Sequence, residues 1–192
     1  MDDVLDKLRG GDRRSIGRSE EIVRLVSRNK RLFPRLFRGL QDSDPVVRMR
    51  AADAVEKITS IHANWLQPYK NDLLGKISRE PQQEIRWHVA QMLPRLHMSP
   101  RERAIASSIL FDYLEDSSSI VRTLSMQGLA DLATQDASLR KRVIPVLEFL
   151  TTTGTAAMRS RGRKLLVRLR NKASLRLPKV RKGVVERERK ST

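Results

Sequence analysis

The chain has no cysteine, which excludes disulfides, thiolate nucleophiles and sulfur-ligated metals. Its three histidines, His62, His88 and His97, are not spaced as ligands, and no HExxH-type pattern occurs. Neither a metal nor any other cofactor is therefore expected. No apolar run approaches the ~20 residues that a membrane-spanning helix needs. The opening MDDVLDKLRGGDRR is charged throughout and does not suit a secretory signal, so a soluble cytoplasmic protein is expected. The stretch 150-LTTTGTAA-157 lacks the lysine and the strand of a phosphate loop, and reads as a turn with Gly154 at a helix end. No base is placed by sequence to activate Ser107, Ser108 or Ser117 to Ser119. No catalytic residue emerges, and no enzyme is expected. Aromatics are also scarce, with 2 Trp, 2 Tyr and 4 Phe in 192 residues, so the position of each is informative.

What the chain does contain is a repeat. Arg48, Arg86, Arg122 and Arg159 recur at intervals of 38, 36 and 37 residues within the phrases VVRMRAADAVEKI, EIRWHVAQMLPRL, IVRTLSMQGLADLA and AMRSRGRKLLVRL. A period of this size signals a stacked array. One residue before each arginine stand Val47, Ile85, Val121 and Met158. Three after come Ala51, Val89, Ser125 and Gly162, seven after come Val55, Leu93, Leu129 and Leu166, and ten after come Ile58, Leu96, Leu132 and Leu169. Steps of four, four and three mark one face of an α-helix. A second apolar helix runs upstream of each phrase, with Leu36, Leu74, Leu110 and Leu147 twelve residues before their arginines. Start signals separate the helices. They are Asp44-Pro45, Glu80-Pro81 as a first-turn proline, Ser117-Ser118, and Ser99-Pro100 with Glu102 as a capping box.

These phrases resemble the HEAT repeat family, whose units carry an acidic residue six positions before the arginine and often a proline in the first helix. Asp42, Glu80 and Asp116 stand six before Arg48, Arg86 and Arg122, and Pro34 and Pro145 stand fourteen before Arg48 and Arg159. Thr153 replaces the acid in the last unit, Ser108 replaces the proline in the third, and Pro68 sits in a longer helix. The resemblance implies an all-α, right-handed α-solenoid of antiparallel helix pairs, first helices convex and second helices concave. Four units are expected over 28–58, 59–97, 98–135 and 136–170. Residues 1–27 read as a degenerate opening unit, with Ser15, Ser19, Val23 and Val26 repeating the spacing. It also implies that Asp42, Arg48, Glu80, Arg86, Asp116 and Arg122 form a ladder of side-chain bonds between neighbouring units, because charges near a seam persist only when paired.

Binding chemistry is sought on the face of the second helices opposite those columns. Positions two, five and nine after each arginine supply Arg50, Asp53 and Lys57; His88, Gln91 and Arg95; Leu124, Gln127 and Asp131; and Arg161, Lys164 and Arg168. Position one adds Met49, Trp87, Thr123 and Ser160. The expected groove residues are thus Arg50, Asp53, Trp87, His88, Gln91, Arg95, Gln127 and Asp131. An aromatic among hydrogen-bonding groups suits a binding hot spot, and packing between units is the other reading of Trp87.

The net charge of +17 is unevenly spread, since residues 157–192 hold 14 Lys and Arg against 2 Glu. Arg159, Arg161, Arg163, Lys164, Arg168 and Arg170 form a candidate polyanion patch, which also reads as the wetted end of an array. Residues 171–192 carry few large apolar side chains and are expected to be disordered. The leading expectation is a non-enzymatic scaffold holding a protein or peptide in its concave groove. The alternative is nucleic-acid binding through the basic helix and tail. Some HEAT-like solenoids are alkylpurine DNA glycosylases with tryptophans, an aspartate and an arginine on the concave face. Trp87, Asp53 and Arg50 are of those types but do not align to a motif.

Overall fold

The structure is a computed structural model that describes residues 3–12 and 14–174. After a short 3-10 turn at Asp6–Leu8, nine α-helices follow among the described residues. They are α1 (Ser19–Arg28), α2 (Phe33–Arg38), α3 (Pro45–Ile61), α4 (Lys70–Leu74), α5 (Gln83–Met92), α6 (Pro100–Asp112), α7 (Ser119–Ala133), α8 (Ala137–Thr153) and α9 (Ala156–Ser174). Helices α1, α3, α5, α7 and α9 stack in sequence as one layer, while α2, α6 and α8 each pack on the helix that follows. The result is an all-α solenoid with no strand among the described residues.

The repeated apolar columns are the seam. Val47, Ala51, Val55, Ile85, Val89, Leu93, Val121, Ser125 and Leu129 have no exposed surface, and Met158, Ile58, Leu96, Leu132, Leu166 and Leu169 are also buried. Large apolar side chains each contribute roughly 1.5–3 kcal/mol when buried. Every helix therefore depends on the neighbours that cover its stripe. Gly128 lets α7 approach α5 closely, because a Cβ there would stand 2.6 Å from the Ala90 carbonyl oxygen on α5.

Local chemistry sets the boundaries. Asp44 caps α3 by accepting from the Val46 amide at 2.8 Å. Ser99 and Glu102 form the complete capping box of α6. Pro81 lies outside α5, whose N-cap is Gln82, so it is not the first-turn proline that its position after Glu80 suggests. Pro68, which offers no amide hydrogen, lies in a 3-10 stretch at Ala63–Tyr69, leaving α4 short. In the opening segment the buried face of α1 is Ser19, Ile22 and Val26. Ser15 lies before the helix and is exposed, so the buried spacing begins at Ser19. Val4, Leu5 and Leu8 add apolar cover. Helix α9 continues through Ser174, and the expectation of disorder otherwise falls on residues 175–192, outside the described residues.

Candidate binding groove

Two belts of polar contacts cross the stacked layer. In the first, Arg48 and Arg86 each bond to the backbone of their own unit and to a side chain of the next. Arg48 donates to the Asp42 carbonyl at 2.9 Å and to Gln82 Oε1 at 2.8 Å, with Glu80 at 3.9 Å. Arg86 donates to the Glu80 carbonyl at 3.0 Å and to Asp116 Oδ2 at 2.6 Å. Arg9 approaches Asp42 at 3.3 Å from the N-terminal segment, and that carboxylate raises the Arg9 pKa. Arg122 has no such partner among the described residues, and its buried Nε is without an acceptor. Its place in the series falls against Thr153, which ends α8 and turns its hydroxyl to the Phe149 carbonyl.

The second belt runs along the inner face. Ser19 donates to Asp53 at 2.5 Å, and Lys57 bridges Asp53 at 3.0 Å and Glu20. Arg95 holds Glu56 and donates to Thr59 Oγ1 at 3.1 Å. Gln127 donates to Asp131 at 3.0 Å and accepts from Arg161 Nη1 at 2.8 Å. Arg168 Nη2 stands 2.7 Å from Asp131. The inner face is therefore largely pre-bonded, helix to helix.

Two expected groove residues are placed elsewhere. Arg50 is 4% exposed. Its guanidinium donates to the carbonyls of Leu8 at 2.8 Å, Gly10 at 2.7 Å, Ser15 at 3.1 Å and Asp12 at 3.2 Å. It binds the chain's own N-terminal loop, not a groove. The loop passes so close that a Cβ on Gly17, whose φ is +53°, would stand 2.6 Å from the Arg50 Cζ. His88 is 8% exposed, and burial lowers its pKa to about 4, with Asp53 opposing the shift and Lys57 and Arg95 adding to it. Its Nδ1 has no hydrogen-bond partner, so it sits as a neutral ring under the surface. It meets the Trp87 ring edge-on, at 5.7 Å between centroids.

What remains open is a groove from α5 to α9. Trp87 is half-buried against the core, and Gln91 donates to its carbonyl at 3.3 Å. Gln91, Arg95, Gln127 and Asp131 line a hollow of about 330 Å³. Gln127 also borders a hollow of about 570 Å³ between α7 and α9, walled by Thr123, Ser160, Arg161, Lys164, Leu165 and Arg168. The six-cation patch of α9 does not form one surface. Arg161, Lys164 and Arg168 line this hollow. Arg159 donates to the Gly154 carbonyl, Arg170 pairs with Glu148, and Arg163 is exposed.

Sequence spacing did not point to Trp65. It meets Phe33 edge-on at 5.3 Å and stacks on His62 at 4.7 Å, with Lys30 over its ring. This aromatic cluster also stacks Phe37 on Tyr69 at 4.0 Å and seals the first helices of two units. Clustering of four of the eight aromatics was visible only as proximity within 33–69. No group of three or more metal-ligating side chains occurs among the described residues, and no described helix is long and apolar enough to cross a membrane.

Stacked helix pairs with a pre-bonded inner face and an open groove define a repeat scaffold of the α-solenoid class. The chain belongs to the HEAT repeat family, since the family model for the HEAT repeat domain matches residues 11–168. Such repeats commonly mediate protein interactions as scaffolds and are generally not enzymes. A comparison with curated proteins finds no match.

Proposed function

We propose that this chain is a non-enzymatic binding module that holds a protein or peptide partner along the groove from Trp87 to Lys164. The observation that carries this reading is the polar hollow lined by Gln91, Arg95, Gln127 and Asp131, whose groups are fixed by bonds between helices, with the half-buried Trp87 on the same helix as Gln91. A rigid, pre-bonded surface loses little freedom on binding, which leaves more of the contact energy as affinity. The side-chain amides of Gln91 and Gln127, which line one hollow, suit a peptide backbone, and Trp87 on α5 offers an apolar surface to its side chains. The glycosylase-like alternative has less support, because Arg50 spends its donors on four carbonyls and Asp53 is engaged by Ser19 and Lys57. Nucleic-acid binding through α9 is weakened by the division of its cations between two faces.

The test is site-specific photocrosslinking. A photoreactive residue at Gln91 should capture a partner that the same residue at the exposed Phe149 does not, and Trp87→Ala should abolish that capture with helicity unchanged. Equal capture from both positions, or capture indifferent to Trp87→Ala, removes the groove assignment.

A further inference from the structure

The hollow between α7 and α9 holds donors that nothing among the described residues takes up. Arg168 Nη2 stands 2.7 Å from Asp131. That ion pair is not aligned as a hydrogen bond, and the Nε, on a side chain that is 39% exposed as a whole, is buried without an acceptor. Buried charged donors left unmet are costly, so an acceptor placed there gains more than one on open surface. Arg161 is held beside it by Gln127 at 2.8 Å, which fixes the second cation before any ligand arrives. Lys164 is exposed at the mouth, and Ser160 adds a hydroxyl. The lining contains three cations, Arg168 among them already paired with Asp131 at the edge, in a volume of about 570 Å³.

We propose that this hollow is an oxyanion subsite that receives a carboxylate side chain from an acidic segment of a protein partner. The proposal rests on the groove reading above and specifies the chemistry of the groove's α9 end. The three cations, at residues 161, 164 and 168 of α9, share one hollow, and a short carboxylate side chain is an anion of the size such a local cluster accepts. A polyphosphate backbone would instead need a track of cations along the stack. The inner face offers none: it carries Asp53 and Glu56 further along and Asp131 against Arg168, and Arg159 and Arg170 are committed to α8. The chain's own residues 175–192 are the wrong occupant by charge, with 7 Lys and Arg against 2 Glu.

The experiment is a fluorescence-anisotropy titration of the full chain with three labelled probes at moderate salt. These are a peptide alternating glutamate and alanine, its glutamine counterpart, and a single-stranded oligothymidine. Two exposed, adjacent cations on different faces of α9 give matched charge changes, Lys164→Glu in the hollow and Arg163→Glu outside it. The glutamate peptide should bind at least ~10-fold tighter than the glutamine peptide. Lys164→Glu should weaken it ~10-fold, and Arg163→Glu by less than ~2-fold, since one well-placed charge contact is worth about a decade in affinity. Circular dichroism of both variants should match the parent. Equal losses from the two variants would reduce the effect to diffuse attraction and overturn the proposal. So would tighter, Lys164-dependent binding of oligothymidine, or no binding of the glutamate peptide. Binding of both peptides that depends on Trp87 but not on Lys164 would overturn the subsite while leaving the groove reading standing.

Discussion

Replacing Arg50 with alanine tests whether the N-terminal segment is docked by this one side chain. The guanidinium makes four hydrogen bonds, to the carbonyls of Leu8, Gly10, Asp12 and Ser15, and is 4% exposed. Bonds to a charged group contribute ~1.5–3 kcal/mol each in mutational series, but four bonds from one group act as a unit and do not add. A buried carbonyl left without its donor costs about 1–3 kcal/mol. The loss is capped because residues 3–17 can leave together, exposing Val4, Leu5 and Leu8 and rehydrating the carbonyls. The expected result is local undocking, as arrays fray unit by unit. Hydrogen exchange should show lost protection at the amides of Leu8 and Ser19, which bond to the Leu5 and Ile16 carbonyls. Protection along α5 and α7 should persist. Arg50→Lys should be intermediate, since an ammonium lacks the planar fork that reaches four acceptors at once. Unchanged protection at Leu8 in Arg50→Ala would refute the docking argument. Lost partner capture with protection intact would return Arg50 to the groove.

Two further outcomes separate buried groups that are satisfied from those that are not. Arg86→Met should destabilise by about 2–4 kcal/mol in urea unfolding, because it strands Asp116, whose side chain is 5% exposed. Arg122→Met should cost under ~1 kcal/mol, because its Nε already lacks an acceptor, and equal costs would remove the distinction. Burial holds His88 near 4, below its ordinary 6.5, so the unfolded chain takes up the proton first as pH falls. Stability present above pH 6.5 should decline by roughly 3 kcal/mol down to pH 4 for this group. His88→Gln should flatten that part of the profile, and an unaltered slope would assign the effect to another residue.

The columns were legible because each lies within one helix and recurs at nearly fixed intervals. Asp44 and Ser99 were legible as caps because capping is local. Arg50 and His88 were misplaced for one shared reason. A stripe such as Val47, Ala51 and Val55 says which face is core, but not how far the neighbouring helices cover its flanks. Positions two after the arginine fall on the flank turned to the preceding element, where Arg50 meets the N-terminal loop and Arg161 meets Gln127. Nothing in the spacing ties residues 8–15 to residue 50. The arginine ladder shows the same limit: the spacing marked a ladder between neighbouring units but not which atoms of the acid six before each arginine would take part. The structure uses that residue's carbonyl and takes a side chain from the next unit, as Arg86 does with Glu80 and Asp116.

The position four after each repeat arginine explains why the basicity of α9 divides. Ala52, Ala90 and Met126 occupy it in α3, α5 and α7, and none has exposed surface, because the next helix of the layer lies against that side. Its counterpart in α9 is Arg163, which is exposed. An arginine there cannot be covered by a dry helix without losing its hydration, at a cost no unpaired charge recovers. That side of α9 is therefore built to stay wet, and Arg163 requires no ligand to account for it. Arg161 and Arg168 lie on the opposite flank, where the preceding turns of the solenoid place Arg50 and His88 in contact with other elements. There a charge is retained only where something answers it. Gln127 answers Arg161 by a hydrogen bond, and Asp131 answers Arg168 at Nη2 only, with Nε left over. Of the cations on this helix, Arg168 is thus the one whose chemistry is incomplete, and the hollow beside it is where an acceptor fits.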